Sequence, residues 1–411
     1  MEDIYKVYVC GPTVYNDVHI GNMRPIITMD LILKAARFLG IKFEFVHNIT
    51  DIDDKIINKA LSEKVSENEI ATRYGNKYLE LLKDFNVDTI SKIEYVTENL
   101  NTINDFIQEL INSENAYYDE QKNIWFDVAK NKANYGQVSN QKLDNMQFED
   151  QSYQKRFPAD FALWKNTNVG ITYKLGIGTG RPGWHTECAA LIYKNFGNAG
   201  VDVHGGGMDL TFPHHENENI QYLALTNQSI AKEWLRTGQI NLNGEKMSKS
   251  LQNVILAKDF LNQYPADYLK TIFLLNSFTG LINIDDNLLN NVTKLHKKIK
   301  KIYFNAALQK LDVTKNEKTD IATNILRMIF ERKFSNFNKS VNDLIKKINT
   351  ENNPTDMQDL ITIFNQLGYQ FKDFEYSKFV ATYQEWKELV AKKDFANADA
   401  LRDILAKNDL I

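Results

Sequence analysis

The chain has 411 residues, 43% of them hydrophobic and 25% charged, with a formal net charge of -4 and two cysteines. Such a length exceeds one ordinary domain and the apolar share fills buried cores, so a catalytic domain with appendages is expected. No run approaches the ~18 to 20 apolar residues that span a bilayer, Met1-Glu2-Asp3 lacks the basic start of a secretory signal, and Cys10 and Cys188 alone build no disulfide framework. The expectation is a soluble cytoplasmic protein in a reducing compartment.

Val7, Tyr8 and Val9 are β-branched or aromatic and stop at Cys10-Gly11-Pro12, which reads as a short buried strand ending in a turn. Cys10 then sits at the C-terminal edge of a strand, where open α/β sheets take their ligands. His19-Ile20-Gly21-Asn22 follows, with Pro25 placed as a first helical residue. Apolar residues at helical spacing run from Asp30 to Leu39, Gly40 stops them, and Lys42 to Val46 is the second strand. Thr50 or Asp51 is expected to cap a helix whose first turn is rich in acids. Ile93 to Val96 reads as a third strand and Thr97 to Ile111 as a helix, completing one half of a doubly wound parallel sheet.

The pattern breaks between Ala116 and Lys174, where short strand-like pieces and a polar stretch mark an inserted subdomain closed by Asp160-Phe161-Ala162-Leu163-Trp164-Lys165. Gly178, Gly180, Pro182 and Gly183 suggest a tight loop, and Thr186 a cap for a helix carrying Cys188. Val201 to His204 is a strand running into Gly205-Gly206-Gly207, glycines that let backbone approach a flat ligand. Pro213 is placed at a first helical position, and His214 and Glu218, four apart, share one face of that helix. Beyond Lys246 the chain turns helical: Asp259 to Phe278, Asn287 to Leu308, Asp320 to Ile348, Asp356 to Leu367, Ser377 to Ala391 and Phe395 to Lys407. Lys294 to Lys347 holds 14 Lys and Arg against 5 Asp and Glu, a local +9 inside a chain of net -4.

No Walker-type loop is present, so a nucleotide needs another cradle. Activating a carboxylate with ATP places negative charge on the α-phosphate in flight, and donors aimed there do most of the protein's work. His19 at a helix N-terminus, with Lys246 and Lys249 from Lys246-Met247-Ser248-Lys249-Ser250, supplies such donors. Cys10, Cys188, His214 and Glu218 offer a mixed thiolate, imidazole and carboxylate set that can hold zinc, although the spacing matches no zinc finger. Two buried free thiols and a helix-capping histidine account for the same residues, and His215, three from Glu218, is an equal candidate by spacing.

The His19 and Lys246 motifs together resemble the two signatures of class I aminoacyl-tRNA synthetases. Cys10 to Tyr15, Asn48 to Lys55, Asp160 to Lys165, Gly180 to Cys188, His204 to Asp209 and Phe212 to Glu218 resemble blocks of the cysteinyl-tRNA synthetase family, covering nearly the whole chain. The resemblance implies a Rossmann-like, doubly wound parallel sheet over residues 1–113 and 177–240, a connective insert at 114–176, a signature loop with stem-contact helices at 241–285 and a helical tRNA-binding bundle at 286–411. It implies ligation of L-cysteine to tRNA-Cys through a cysteinyl-adenylate, with ATP and Mg2+ as substrate and counterion and one Zn2+ per chain. Zinc would sit on Cys10, Cys188, His214 and Glu218, cysteine against Thr50, Trp184 and His204, and ATP at His19, Gly21, Asn22, Gly205, Gly206, Gly207, Asp209 and Lys249. A monomer without a membrane partner is expected.

Three departures stand out. Asn22 replaces the family's usual histidine and Gln252 its usual glycine, and Ile411 is reached without the customary tryptophan-bearing tail, so anticodon reading is expected to be weaker or differently built. Two other functions fit much of the pattern: a cysteine ligase with an amino-sugar acceptor, and a non-catalytic paralogue that binds RNA. The basic helices favour the tRNA reading, because an amino sugar gives no reason for them.

Overall fold

Residues 4–143, 155–247 and 253–411 are described by the computed structural model. In chain order, β1 (Tyr5–Val9) leads through α1 (Ile20–Leu39) to β2 (Phe43–Ile49), and α2 (Asp54–Glu63) and α3 (Glu67–Asp84) lead to β3 (Lys92–Tyr95) and α4 (Leu100–Asn112). An insertion follows, built from β4 (Ala116–Tyr118), β5 (Ile124–Phe126), α5 (Val128–Asn131), β6 (Phe161–Lys165), β7 (Tyr173–Leu175) and β8 (Gly178–Pro182). The chain then returns through α6 (Trp184–Phe196), β9 (Val201–Gly207), α7 (Glu216–Thr226) and β10 (Ala231–Thr237).

β10, β9, β1, β2 and β3 pair in that order, all parallel, which makes β1 the central strand. Val7, Tyr8 and Val9 are wholly buried, as a strand covered on both faces requires. The insertion forms its own antiparallel sheet, ordered β4-β5-β6-β8-β7. Both sheets belong to one compact unit, comprising residues up to Met29, Lys42–Gln239 and Ile255–Phe260.

The second unit comprises Asp30–Ile41, Ile240–Val254 and Leu261–Ile411. It holds a small sheet of β11 (Ile240–Leu242), β12 (Glu245–Lys246) and β13 (Ile282–Ile284). After α8 (Ala257–Gln263) come α9 (Ala266–Leu275), α10 (Asp286–Leu308), α11 (Asp320–Phe330), α12 (Phe334–Glu351), α13 (Pro354–Gln366), α14 (Ser377–Ala391) and α15 (Phe395–Lys407). Side-chain caps begin several of them: Asp285 accepts the Leu288 N–H at 2.8 Å, Thr319 that of Ala322 and Asn353 that of Thr355. Among the described residues no helix is long and apolar enough to cross a membrane.

Several local expectations are corrected. α1 starts at Ile20, so Pro25 lies inside it; the Ile20 N–H bonds to the Ile255 carbonyl and Asn22 Oδ1 accepts the His19 N–H at 3.1 Å, which sets the helix start a turn earlier. Asp53, accepting the Lys55 N–H, caps α2 in place of Thr50 or Asp51, because Asp51 is engaged by Thr97. Gly178 to Pro182 is a strand and Gly183 the cap of α6. Pro213 lies in a π-helical turn, Thr211–His215, ahead of α7. The expected helix from Asp259 breaks at Pro265, and that from Asp320 breaks at Arg332, whose φ of 62° ends α11 without a glycine.

Candidate active site

At the C-terminal end of β1 the chain must turn within touching distance of β2. Gly11 makes this possible: a Cβ there would stand 1.6 Å from the Asn48 carbonyl oxygen, and the Gly11 N–H donates to Asn48 Oδ1 at 2.8 Å. Cys10 is fixed from the other side by β9, its N–H donating to the Gly205 carbonyl at 3.1 Å. The N-terminal half of α6 supplies Cys188, the turn ahead of α7 supplies His214, and the first turn of α7 supplies Glu218.

Cys10 Sγ lies 3.8 Å from Cys188 Sγ, 3.5 Å from His214 Nε2 and 3.4 Å from Glu218 Oε1. Cys188 Sγ is 3.8 Å from His214 Nε2, which is 2.8 Å from Glu218 Oε1. One ligand atom from each residue falls within 4.8 Å of the others. Two thiolates at ~2.3 Å from one tetrahedral zinc stand ~3.8 Å apart, the spacing seen between the sulfurs. The His214 to Glu218 contact is tighter than the ~3.4 Å of two zinc ligands and is a hydrogen bond as it stands. A second set, Cys10, His204, His215 and Glu218, shares the thiol and the carboxylate but holds one sulfur only. Zinc favours the set with two soft donors, so the residues fit it through Cys10, Cys188, His214 and Glu218.

Burial presses these groups toward their neutral forms, and their neighbours resist unequally. Burial, then Cys188 and Glu218, push the Cys10 thiol well up. Against the same burial, a hydrogen bond from Cys10 and the nearby His214 bring Cys188 to about 7. His214 rises to about 10 because Glu218 outweighs its burial, and Glu218 is held well below the usual carboxylate range by His214 and His204. Burial and then His214 lower His185 to about 3, so it is neutral and its Nδ1, 3.1 Å from His214 Nδ1, can accept that proton. His214 Nε2 then faces the sulfurs with its lone pair when the ring is neutral.

Around these donors the other expected residues fall into two groups. Thr50, buried at the end of β2, donates to Glu187 Oε2 at 3.1 Å and accepts from Asn48 Nδ2. The Trp184 ring stacks on His214 at 4.1 Å, with 37% of the residue exposed, a half-open lid on the cluster. His204 is fully buried, stacks on Trp234 at 4.8 Å and brings Nε2 to 2.8 Å from Glu218 Oε2. Its Nδ1, the Tyr8 hydroxyl and His215 Nδ1 are buried without hydrogen-bond partners, a concentration of unsatisfied groups that a purely structural core avoids. Gly205 and Gly206 are required by protein packing, since Cβ atoms there would meet Val9 at 2.8 Å and the His215 ring at 2.9 Å; Gly207 and Asp209 are more exposed. His19, Gly21 and Asn22 form their own group at the start of α1. Lys246 is exposed on β12, and Lys249 lies outside the described residues.

Sequence reasoning gave no role to Asn48, His185 or Trp234. Asn48 Oδ1 is 3.8 Å from Cys188 Sγ as well as bonded to Gly11, so it ties two thiol-bearing segments to β2. The available signal was its type: His47 and Asn48 are polar residues between Val46 and Ile49, in the buried part of a strand of a parallel sheet.

The model for the tRNA synthetases class I (C) catalytic domain matches residues 2–294. A cysteine–tRNA ligase of Mesomycoplasma hyopneumoniae strain 232 is 42% identical over 403 residues, covering 98% of this chain and 96% of that protein. One from Malacoplasma penetrans strain HF-2 is 37% identical over 422 residues, covering 99% of this chain and 95% of that protein. Among solved structures, methionyl-tRNA synthetase of Mycobacterium tuberculosis bound by methionyl-adenylate superposes with a TM-score of 0.65 at 12% identity, over 92% of this chain and 90% of that one, a likeness of fold. With a class I catalytic-domain match over most of its length and near-full-length relatives of one kind, the chain belongs to the cysteine–tRNA ligase family of class I tRNA synthetases.

Proposed function

We propose that the chain joins L-cysteine to its cognate tRNA using ATP. In the first step the cysteine carboxylate attacks the α-phosphorus and pyrophosphate leaves; in the second a hydroxyl of the terminal ribose attacks the adenylate carbonyl and AMP leaves. The observation that carries this reading is the donor set of Cys10, Cys188, His214 and Glu218, with sulfurs 3.8 Å apart beside a half-exposed tryptophan. A zinc ion held there would supply a soft Lewis acid that takes the substrate side chain as thiolate and discriminates against a hydroxyl.

The chain's own residues do the rest. Trp184 covers His214, Thr50 presents its hydroxyl under the hold of Glu187 and Asn48, and His204 fixes Glu218 from its far oxygen; these three are proposed as the wall of the cysteine pocket. His19, held at the N-terminus of α1 by the Asn22 side chain, is proposed to donate to the α-phosphate with the helix dipole behind it. That arrangement also gives Asn22 a role a charged residue is not needed for. For Gly21, Gly205, Gly206, Gly207 and Asp209 as the ATP cradle, and for Lys246 and Lys249 as donors to ATP with Mg2+, the support is the motif itself. The basic helices from Lys294 onward support tRNA as the acceptor.

The test is cysteine-dependent exchange of pyrophosphate into ATP, followed by acceptor assays with tRNA and with an amino sugar. Zinc at one equivalent per chain is expected; a metal-free preparation that still activates cysteine over serine overturns the metal reading. Lys249→Ala should slow activation by orders of magnitude, and an effect confined to KM for ATP would contradict a transition-state role.

A further inference from the structure

A cavity of about 250 Å³ opens inside the helical unit, between α9, α10 and the segment from Gln370 to Tyr376. Its wall is aromatic. Tyr268 and His296 have ring centroids 4.5 Å apart, His296 and Phe371 5.1 Å, and Phe374 and Tyr376 4.9 Å. Tyr268 and Phe374 are half-buried; Tyr268 stacks with Tyr264 at 5.6 Å and Phe374 with Phe379 at 5.5 Å, so a ligand reaches Phe374 by taking the face that Lys300 covers.

The polar groups of the cavity are unevenly satisfied. Asp267 accepts from Lys270 Nζ and from the Gln370 N–H, and Asp409 pairs with Lys297 at 2.8 Å. Lys300 differs from both: its Nζ stands 3.9 Å from the centroid of the Phe374 ring, and among the described residues no carboxylate lies within ion-pairing distance of it. Burial lowers its pKa and the charge of Asp409 opposes that in part, so the partly desolvated ammonium feels a carboxylate that is itself paired with Lys297 and makes no direct ion pair of its own. A ring face holds an ammonium weakly compared with a phosphate oxygen. Tyr376 is only 3% exposed, yet its hydroxyl has no hydrogen-bond partner. A cation held by a ring face without a direct ion pair, an unpaired hydroxyl and half-buried rings meet in one cavity, beside a helix with five lysines between Lys294 and Lys301.

We propose that this cavity binds a single nucleotide, its base stacked against Phe374 and Tyr268 with the Tyr376 hydroxyl at its edge, and its phosphate on Lys300. The volume lies just under the ~300 Å³ at which small-ligand sites begin, which suits one base with its phosphate at the mouth. Stacking on exposed rings beside a cation is how single-stranded nucleic acid is held without base pairing. The assignment deepens the reading of the helical unit as tRNA-binding and rests on it in one respect: the nucleotide is then one unstacked residue of the bound RNA. A free mononucleotide is the other source of the same chemistry.

The full chain is tested against a tRNA transcript at fixed salt, and against UMP and CMP by saturation-transfer NMR. Phe374→Leu, which keeps bulk and removes the ring, should weaken tRNA about tenfold, and Phe374→Tyr should restore it. Cysteine-dependent pyrophosphate exchange, which needs no RNA, should not change. Tyr268→Leu, on the other wall, is read in parallel so that one poorly folded variant does not decide the outcome. Loss of the UMP and CMP signals in Phe374→Leu with tRNA affinity unmoved assigns the cavity to a free nucleotide. The same loss in a protein that binds no tRNA at all refutes the tRNA reading and leaves the cavity's assignment standing. If the chain binds tRNA and neither ring variant shifts tRNA or mononucleotide, or if Lys300→Ala alone does so, no base is bound there and the proposal is overturned.

Discussion

The donor cluster at the end of β1 and the aromatic interior of the helical unit both bury histidines, on opposite terms. His296 meets a hydroxyl, Thr271 Oγ1 at 2.8 Å, and burial lowers it to about 3. His47, within the parallel sheet, bonds to the Val9 carbonyl and the Tyr78 hydroxyl, each at 2.8 Å, and burial lowers it to about 4. His214 meets a carboxylate and two thiols and is raised. The difference lies in the partners: His296 and His47 are given neutral ones, while His214 is left among groups that compete for its proton. Burial alone does not tell them apart.

Cys188→Ser breaks the charged side of this contrast most severely. It is expected to lose bound zinc and to reduce cysteine-dependent exchange by at least a thousandfold, with ATP binding retained; metal analysis and nucleotide titration check it. On the neutral side, His47→Ala leaves the Val9 carbonyl and the Tyr78 hydroxyl unpaired in the core and should cost about 3 kcal/mol, read by denaturant unfolding. His47 also predicts a pH signature. Its folded pKa of about 4 lies below the ~6.5 of an unfolded histidine, so the neutral form is favoured by folding. That contribution is fully present above ~6.5 and is lost as pH falls to about 4, a change of ~3 kcal/mol. The stability difference between the native chain and His47→Ala should narrow across that window.

The remaining two predictions are smaller. Reversing Lys294, Lys298 and Lys301 to Glu should weaken tRNA binding by roughly tenfold or more and flatten its salt dependence by ~0.7 to 0.9 in slope for each phosphate left without its lysine. Unchanged aminoacylation at moderate salt would refute the assignment of these helices to RNA. Thr271→Val removes the partner of His296 and should cost ~1 kcal/mol with little effect on pyrophosphate exchange, which urea titration and the exchange assay measure together.

Much of this was legible from periodicity and composition. The parallel core, the insertion and the last two helices, Ser377–Ala391 and Phe395–Lys407, follow from apolar spacing. What escaped depends on contacts between segments distant in sequence. Pro25 lies inside α1 because Ile255 supplies a carbonyl to its first turn, and Asp53 caps α2 because Thr97 has taken Asp51. The break at Arg332 carries no glycine or proline to announce it. Within the site, motif resemblance picked out the thiols, His214 and Glu218, and the structure brings them together. It could not show that Gly205 and Gly206 are small because Val9 and His215 leave no room. The choice between His214 and His215, open by spacing, turns on which ring reaches both sulfurs: His214 Nε2 is 3.5 Å from Cys10 and 3.8 Å from Cys188.

The wide separation of the donors along the chain has a consequence for biosynthesis. Cys10 and Cys188 are 178 residues apart, and Cys10 is placed only when β9 docks against β1. Closing so long a loop is a late and slow event, as for parallel sheets in general. On the ribosome, therefore, the N-terminal segment waits with its thiol unaccompanied, vulnerable to oxidation until the second half of the sheet has emerged. Translation through β9 and α7 is the moment at which that thiol gains its companions, so stalling upstream of Val201 should leave a nascent chain that alkylating reagents label at Cys10 and completion renders resistant.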